Sequence, residues 1–165
     1  MTPSKQLRLI AFRVGPETFV LDIMGVGQIV PYAGSTSVPT APKFVEGIVV
    51  VRGEVIPIVD LRDRLYPDLK EREDQPLVLI TRTGAGTIGL KVDEVRRIVN
   101  VGSESILAPP PIVRGVRGEL LIGVIENAGE LLLLIDLENV LTMEEKVELQ
   151  SASLSSPETA GASER

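Results

Sequence analysis

Hydrophobic positions along this chain come in short aliphatic runs broken by turn residues, not in helical stripes. The clearest run is Gly47-Ile48-Val49-Val50-Val51-Arg52-Gly53-Glu54-Val55-Ile56-Pro57-Ile58-Val59-Asp60, in which two β-branched arms flank an Arg-Gly pair. Such arms predict strands buried on at least one face. Gly53 supplies the positive φ that a hairpin turn commonly needs. Asp60 ends the second arm, and its carboxylate is placed to cap a short helix over 61–65 by accepting from the free amides of a first turn. Residues 7–14 and 19–23 read as strands about a turn at 15–18, and 24–30 is ambiguous because two glycines oppose a helix. After a Pro-, Gly- and Ser-rich loop at 31–42 and the hairpin, 66–76 is a mixed-charge, solvated connection. Residues 77–81 open a further strand, 83–92 a second hairpin, 103–107 one helical turn, and 108–111 (Ala-Pro-Pro-Pro) a stiff link. Thr142, followed three residues later by Glu145, signals a capped helix to Leu149. Residues 150–165, rich in Ser, Ala, Glu and Gly, are expected to be disordered.

The pattern repeats. Gly47, Gly53, Glu54, Asp60, Leu61 and Leu65 recur without a gap as Gly123, Gly129, Glu130, Asp136, Leu137 and Leu141. Upstream, residues 14–23 with Val26, Ile29 and Val30 match 83–92 with Val95, Ile98 and Val99. The chain therefore reads as two copies of one small β unit, with a seam near 66–76. What both copies share points to fold: Gly47, Gly53, Asp60, Gly129 and Asp136 are given turn and cap roles, and so are Glu54 and Glu130. What only one copy carries is a candidate for function. Arg52 is such a residue, since its counterpart is Ala128.

Composition narrows the chemistry. Of 165 residues, 44% are hydrophobic but only 3% aromatic, so the core is aliphatic. A net charge of -6 opposes binding to nucleic acid or to an anionic membrane, which needs clustered Lys and Arg. The absence of Cys removes disulfides and thiol chemistry, and the absence of His removes the usual nucleophile–base systems and the commonest metal ligand. The N-terminus lacks a signal-peptide apolar region and no run is long enough to cross a membrane as a helix, so a soluble, cytosolic protein is expected.

Gly84-Ala85-Gly86-Thr87-Ile88-Gly89 matches the dinucleotide pattern GxGxxG, which needs a helix starting at its glycines. The other copy instead places a strand–turn–strand there, which favours a hairpin. Arg52 stands between two readings. It is either a solvated turn residue or an interface anchor whose stem packs on Val51 and Val55 while its planar fork pairs outside the chain.

Four segments carry a family resemblance: Phe19-Val20-Leu21-Asp22-Ile23 running to Val26 and Ile29; Phe44-Val45-Glu46-Gly47 through Arg52-Gly53 to Asp60-Leu61-Arg62; Ile88-Gly89-Leu90-Lys91-Val92-Asp93-Glu94-Val95; and Leu133-Leu134-Ile135-Asp136. In these the chain resembles the CheW-type coupling proteins of bacterial chemosensory arrays, across residues 7–149. The resemblance implies a mainly all-β fold of two small five-stranded β-barrels, intertwined and arising by internal duplication, with short helices and a C-terminal helix. It implies no catalysis and no cofactor. The implied role is an adaptor that links chemoreceptor signalling tips to the regulatory domain of a CheA-type histidine kinase, in the cytoplasm at membrane receptor arrays but without direct membrane contact. The family's receptor- and kinase-contacting positions fall on Val26, Gln28, Ile29, Arg52, Leu77, Gly89, Val95 and Ile98. Arg52 matches the family's characteristic Arg; Gln28 stands where many members have Glu, and Val50-Val51-Arg52-Gly53 stands for the usual Asn-Leu-Arg-Gly. Two alternatives remain beside this reading. One is a CheW-like adaptor of a non-flagellar chemosensory-type pathway. The other, from a different class, is a small dinucleotide-binding domain using Gly84 to Gly89, with a helix from Gly86.

Overall fold

The computed structural model describes residues 5–70 and 75–149. Part of the charged connection, 71–74, and the segment expected to be disordered, 150–165, lie outside the described residues. The strands are β1 (Gln6–Val14), β2 (Glu17–Asp22), β3 (Val26–Pro31), β4 (Val45–Val51), β5 (Glu54–Asp60), β6 (Leu77–Thr83), β7 (Gly86–Val92), β8 (Glu94–Gly102), β9 (Ile112–Val113), β10 (Val116–Arg117), β11 (Leu121–Asn127) and β12 (Glu130–Ile135), with helix α1 (Leu61–Leu65) after β5. Residues 143–149 are helical.

Two five-stranded sheets form, ordered β11-β12-β2-β1-β8 and β3-β6-β7-β5-β4, with β9 and β10 making a small ribbon. Each sheet takes strands from both copies. The first hairpin, β1–β2, joins the later strands β8, β11 and β12, while the second hairpin, β6–β7, joins the earlier strands β3, β4 and β5. The exchange is sealed by two parallel joins, β12 on β2 with Leu133 opposite Phe19, and β5 on β7 with Ile58 opposite Gly89. The two copies are thus interlocked.

The exchange explains why the strands read as aliphatic runs. All five strands of the first sheet feed one interior cluster, with Leu9, Ala11, Val20, Val99, Val101, Ile125, Leu132 and Leu134. The second sheet curls about Ile56, Ile58, Val78 and Ile80, with Val30, Val49 and Val51 packed against them. Alternate positions on the same strands, such as Phe12, Phe19, Leu79, Ile88, Leu90 and Leu133, point the other way into a larger core shared by both sheets, which also takes Leu61 and Leu65 of α1. A strand buried on both faces has no polar face to alternate with.

Local expectations are met where local chemistry decides. Arg62 N donates to Asp60 Oδ1 at 2.9 Å, the cap expected for α1. Thr142 and Glu145 form a reciprocal capping box: Glu145 N donates to Thr142 Oγ1 and Thr142 N to Glu145 Oε1. The ambiguous stretch resolves into a 3-10 turn, Ile23–Gly25, followed by β3. Three expectations are corrected. Asp136 makes no side-chain bond to a turn amide; its carboxylate accepts from Asn139 Nδ2 at 3.0 Å instead. Gly47 lies in β4 at a register shift, not in a turn, and a Cβ there would meet Ser35 Cβ and Thr36 O at 2.8 Å. The loop crosses so closely there because Thr36 and Ile48 exchange backbone hydrogen bonds. Glu130 does not serve the turn; it accepts from Thr18 Oγ1 at 2.9 Å and Arg97 Nη2 at 3.0 Å. Finally, β6 and β7 form a hairpin about Gly84 and Ala85, with Gly86 opening a strand. The dinucleotide alternative required a helix there, so its structural premise fails.

Candidate functional site

Among the described residues, strand β3 pairs only with β6, and β8 only with β1, so both are sheet edges. They are equivalent elements of the two copies, each following a crossing from one sheet to the other. Val26 on β3 and Val95 on β8 are partly buried at the margin of the shared core. One turn of the pleat outward, Ile29 and Ile98 are each 40% exposed. Leu77 also packs on the shared core, at the far end of the β3–β6 pairing, opposite Pro31 and Val92. Gln28 is half-buried on β3 beside the register shift that follows Val26. These positions form apolar edges flanked by polar groups, a composition typical of helix-binding surfaces.

Arg52 lies at the tip of the β4–β5 hairpin. Its φ is 53° and that of Gly53 is 80°, so both central residues of the turn take the left-handed conformation of a type I′ hairpin. Sequence reasoning gave that conformation to Gly53 alone. Ala128 and Gly129 have the same values, 53° and 80°. The cost of holding a Cβ there is therefore common to both hairpins, and the guanidinium is what differs. Arg52 is exposed and makes no ion pair or hydrogen bond among the described residues. Beside it Val50 and Val55 face each other across the hairpin, 65% and 47% exposed. The other tip has Glu126 in place of Val50.

Gly89 is buried, not displayed. A Cβ there would meet Ile58 Cδ1 and Val78 Cγ1 at 2.7 Å, so the residue allows β5 and β6 to close over β7. The structure thus packs Val26, Leu77 and Val95 against the shared core, sets Ile29 and Ile98 on the two edges, and puts Arg52 at a hairpin tip and Gly89 in the interior of β7.

Sequence reasoning missed a charged cluster between the sheets. Asp93, at the crossing from β7 to β8, is 5% exposed. Its Oδ1 accepts from Arg62 Nε at 3.3 Å and its Oδ2 from Arg62 Nη2 at 2.7 Å, a two-pronged pair. Oδ2 also accepts from Gly15 N at 2.7 Å and Arg13 Nη1 at 3.5 Å. The signal was available in the comparison that marked Arg52: the counterparts of Asp93 and Arg62 are Met24 and Glu138.

Other titratable groups serve the fold. Burial raises the Asp60 carboxyl above its ordinary range, with Asp63 adding to the effect and Lys91 opposing it. Glu130 is held below the ordinary range by the Thr18 hydroxyl and the Arg97 guanidinium. Lys91 donates to Glu46 at 3.1 Å and lies over the Tyr32 ring, tying β7 to β4. Among the described residues, no helix is long and apolar enough to cross a membrane.

Comparison with known proteins gives concordant results. The pattern of the CheW-like domain matches residues 8–145. The chemotaxis protein CheW of Rhizobium meliloti (strain 1021) is 33% identical over 138 residues, covering 84% of this chain and 89% of that protein. The chemotaxis protein CheW of Treponema pallidum (strain Nichols) is 30% identical over 145 residues, 86% of this chain and 85% of that protein. Among solved structures, the scaffolding protein TtCheW from Thermoanaerobacter tengcongensis superposes with a TM-score of 0.75 at 25% identity, over 88% of this chain and 92% of that one.

Proposed function

The chain belongs to the CheW-like domain family, and we propose that it is a chemotaxis scaffold that works by binding, coupling chemoreceptor tips to a CheA-type histidine kinase and controlling that kinase. The observation that carries this reading is the pair of equivalent apolar edges, Val26 and Ile29 on β3 and Val95 and Ile98 on β8, set at the margin of a core shared by two interlocked barrels. A receptor tip is a helical hairpin, and an amphipathic helix docks through anchors one or two turns apart. Val26, Ile29, Val95 and Ile98 offer such anchors, with Gln28 and Leu77 beside them. The hairpin tip of Val50, Arg52 and Val55, on strands β4 and β5, takes the kinase. An exposed Arg set between two valines suits a hot spot, because its stem packs while its fork pairs. Each contact can be weak, since an array presents many together. Recruitment to membrane receptor arrays follows from the partners and needs no membrane segment.

The test is calorimetry of the full chain against the kinase regulatory domain and, separately, a receptor-tip fragment from the same cell. Binding to both supports the coupling role. Binding to neither by correctly folded protein overturns it.

A further inference from the structure

Because the copies exchange hairpins, each hairpin turn must be fixed to the short helical segment that follows the opposite sheet, and the two corners do this with different chemistry. At the second corner Gly84 N, in the β6–β7 turn, donates to both carboxylate oxygens of Glu138 at 3.2 and 3.1 Å. Glu138 is exposed, in the 3-10 turn Leu137–Asn139 that follows β12. At the first corner the equivalent amide is Gly15 N, in the β1–β2 turn, but the equivalent of Glu138 is Arg62 on α1. A guanidinium has five donors and no acceptor, so it cannot receive that N–H. Asp93 stands between them, accepting from Gly15 N on one side and gripped by the Arg62 fork on the other. Its backbone N also donates to Arg13 O at 3.0 Å. One corner is therefore a buried, charge-assisted clamp and the other an exposed carboxylate contact.

We propose that Asp93 and Glu138 are positioning residues, whose carboxylates on the two turn amides fix how the barrels face each other and so set the spacing of the edges β3 and β8. Each latch adjoins one edge. Asp93 is two residues before Val95, on the same crossing. Leu137, next to Glu138, lies 3.6 Å from where a Cβ on Gly25 would be, and Val26 follows Gly25 directly. A buried ion pair is a weak source of stability compared with apolar packing of the same volume. Its fork geometry nevertheless admits only one placement of α1 against the β1–β2 turn, which the aliphatic core by itself would not specify. The link to binding rests on the reading of β3 and β8 as receptor-facing edges; the link to barrel orientation does not.

The chain has no native Cys, so Glu54→Cys on the second sheet and Glu126→Cys on the first can carry spin labels for a pulsed dipolar distance measurement. In this background Asp93→Asn is expected to broaden the inter-barrel distance distribution, and Glu138→Ala to broaden it less. Unlabelled Asp93→Asn is expected to lose about tenfold in affinity for the receptor-tip fragment, equivalent to 1.4 kcal/mol, with its circular dichroism unchanged. Arg62→Lys, which keeps the charge but loses the fork, is expected to fall between wild type and Asp93→Asn in both measurements. A folded Asp93→Asn protein with an unchanged distribution overturns the proposal, and so does a broadened distribution with unchanged affinity. Should Asp93→Asn fail to fold, Glu138→Ala at its exposed site decides, an unchanged distribution overturning the proposal. If the wild type does not bind the receptor tip, the coupling reading fails while the distance arm still judges the orientation claim.

Discussion

Replacing Arg52 by Ala separates fold from function at one residue. The backbone there is left-handed, with φ of 53°. For a residue with a Cβ that conformation costs about 1–2 kcal/mol, but Arg and Ala bear the cost equally. Ala128, in the same turn conformation with φ of 53°, shows that Ala is accommodated. Arg52 has no hydrogen bond or ion pair to lose among the described residues. Exposed changes of this kind stay within about 0.5 kcal/mol, which for a domain of this size is a melting shift of about 1–2 °C. Binding should respond differently. A central Arg hot spot is worth about 2 kcal/mol or more, or roughly a 30-fold rise in Kd at 1.4 kcal/mol per decade.

The assay pairs a thermal melt with calorimetric titration of the kinase regulatory domain. Arg52→Gly is a useful second variant. It relieves the left-handed strain and adds about 0.5–1 kcal/mol of backbone entropy cost, so it should melt at or slightly above the wild type while losing the same affinity. A fall in melting temperature of more than about 5 °C for Arg52→Ala, well beyond the surface range, would mean the guanidinium holds the fold. Unchanged melting with unchanged affinity would remove the hairpin tip from the kinase interface.

Three further outcomes are expected. Asp93→Ala removes the carboxylate that the Arg62 fork grips, at a site where the Arg62 side chain is 7% exposed; breaking a buried pair costs about 3–5 kcal/mol, to be read by urea denaturation, and a cost below about 1 kcal/mol, the range of exposed pairs, would show that the pair contributes little to holding the fold. Gly89→Ala forces a Cβ to within 2.7 Å of Ile58 and Val78; overpacking of this kind costs about 1–3 kcal/mol, and affinity measured on the folded fraction should be unchanged, whereas a specific loss of binding with normal stability would return Gly89 to the interface. Asp60, raised by burial, takes up a proton more readily folded than unfolded. Its contribution is therefore full below its ordinary value and is lost as pH rises through its raised value. Asp60→Asn, which retains a capping oxygen, should flatten that segment of the melting-temperature profile against pH, and an unchanged slope would assign it to another group.

The strands, the hairpin turns, the α1 cap and the capping box at Thr142 were legible because each is decided by a few neighbouring residues. So was the duplication, which is a matter of spacing. The exchange of hairpins was implied only by the family resemblance and could not be read from the pattern itself. Both copies carry the same aliphatic pattern, so β1–β2 satisfies its periodicity equally well on the strands of either half. The choice is made by the parallel joins of β2 to β12 and β5 to β7 and by a core that buries the second face of those strands. Asp136 and Gly47 were misassigned for a related reason: the repeat shows that a residue is structural without showing which contact it makes. In the candidate site, Arg52 was legible from the difference between copies. Asp93 and Arg62 differ between copies too, but a charge beside a strand end reads as solvated until the fold brings Gly15 to it.

That difference yields a constructive test of how the two corners work. The second corner caps its turn amide with one carboxylate on the helical segment, and its crossing carries no acid at the place of Asp93. Carrying that arrangement to the first corner means Arg62→Glu with Asp93→Met. Each change alone is damaging: Arg62→Glu buries two carboxylates together, and Asp93→Met takes the gripped carboxylate from the Arg62 fork and the acceptor from Gly15 N, at about 1–3 kcal/mol for a lost buried acceptor. Together they remove the like-charge clash and restore an acceptor for the Gly15 amide. The double variant should therefore melt above both single variants, a non-additivity expected only of residues in one network. If it melts no higher than the worse single variant, the corners are not equivalent, and Asp93 is held in place by Arg13 and Arg62 for reasons other than the Gly15 amide.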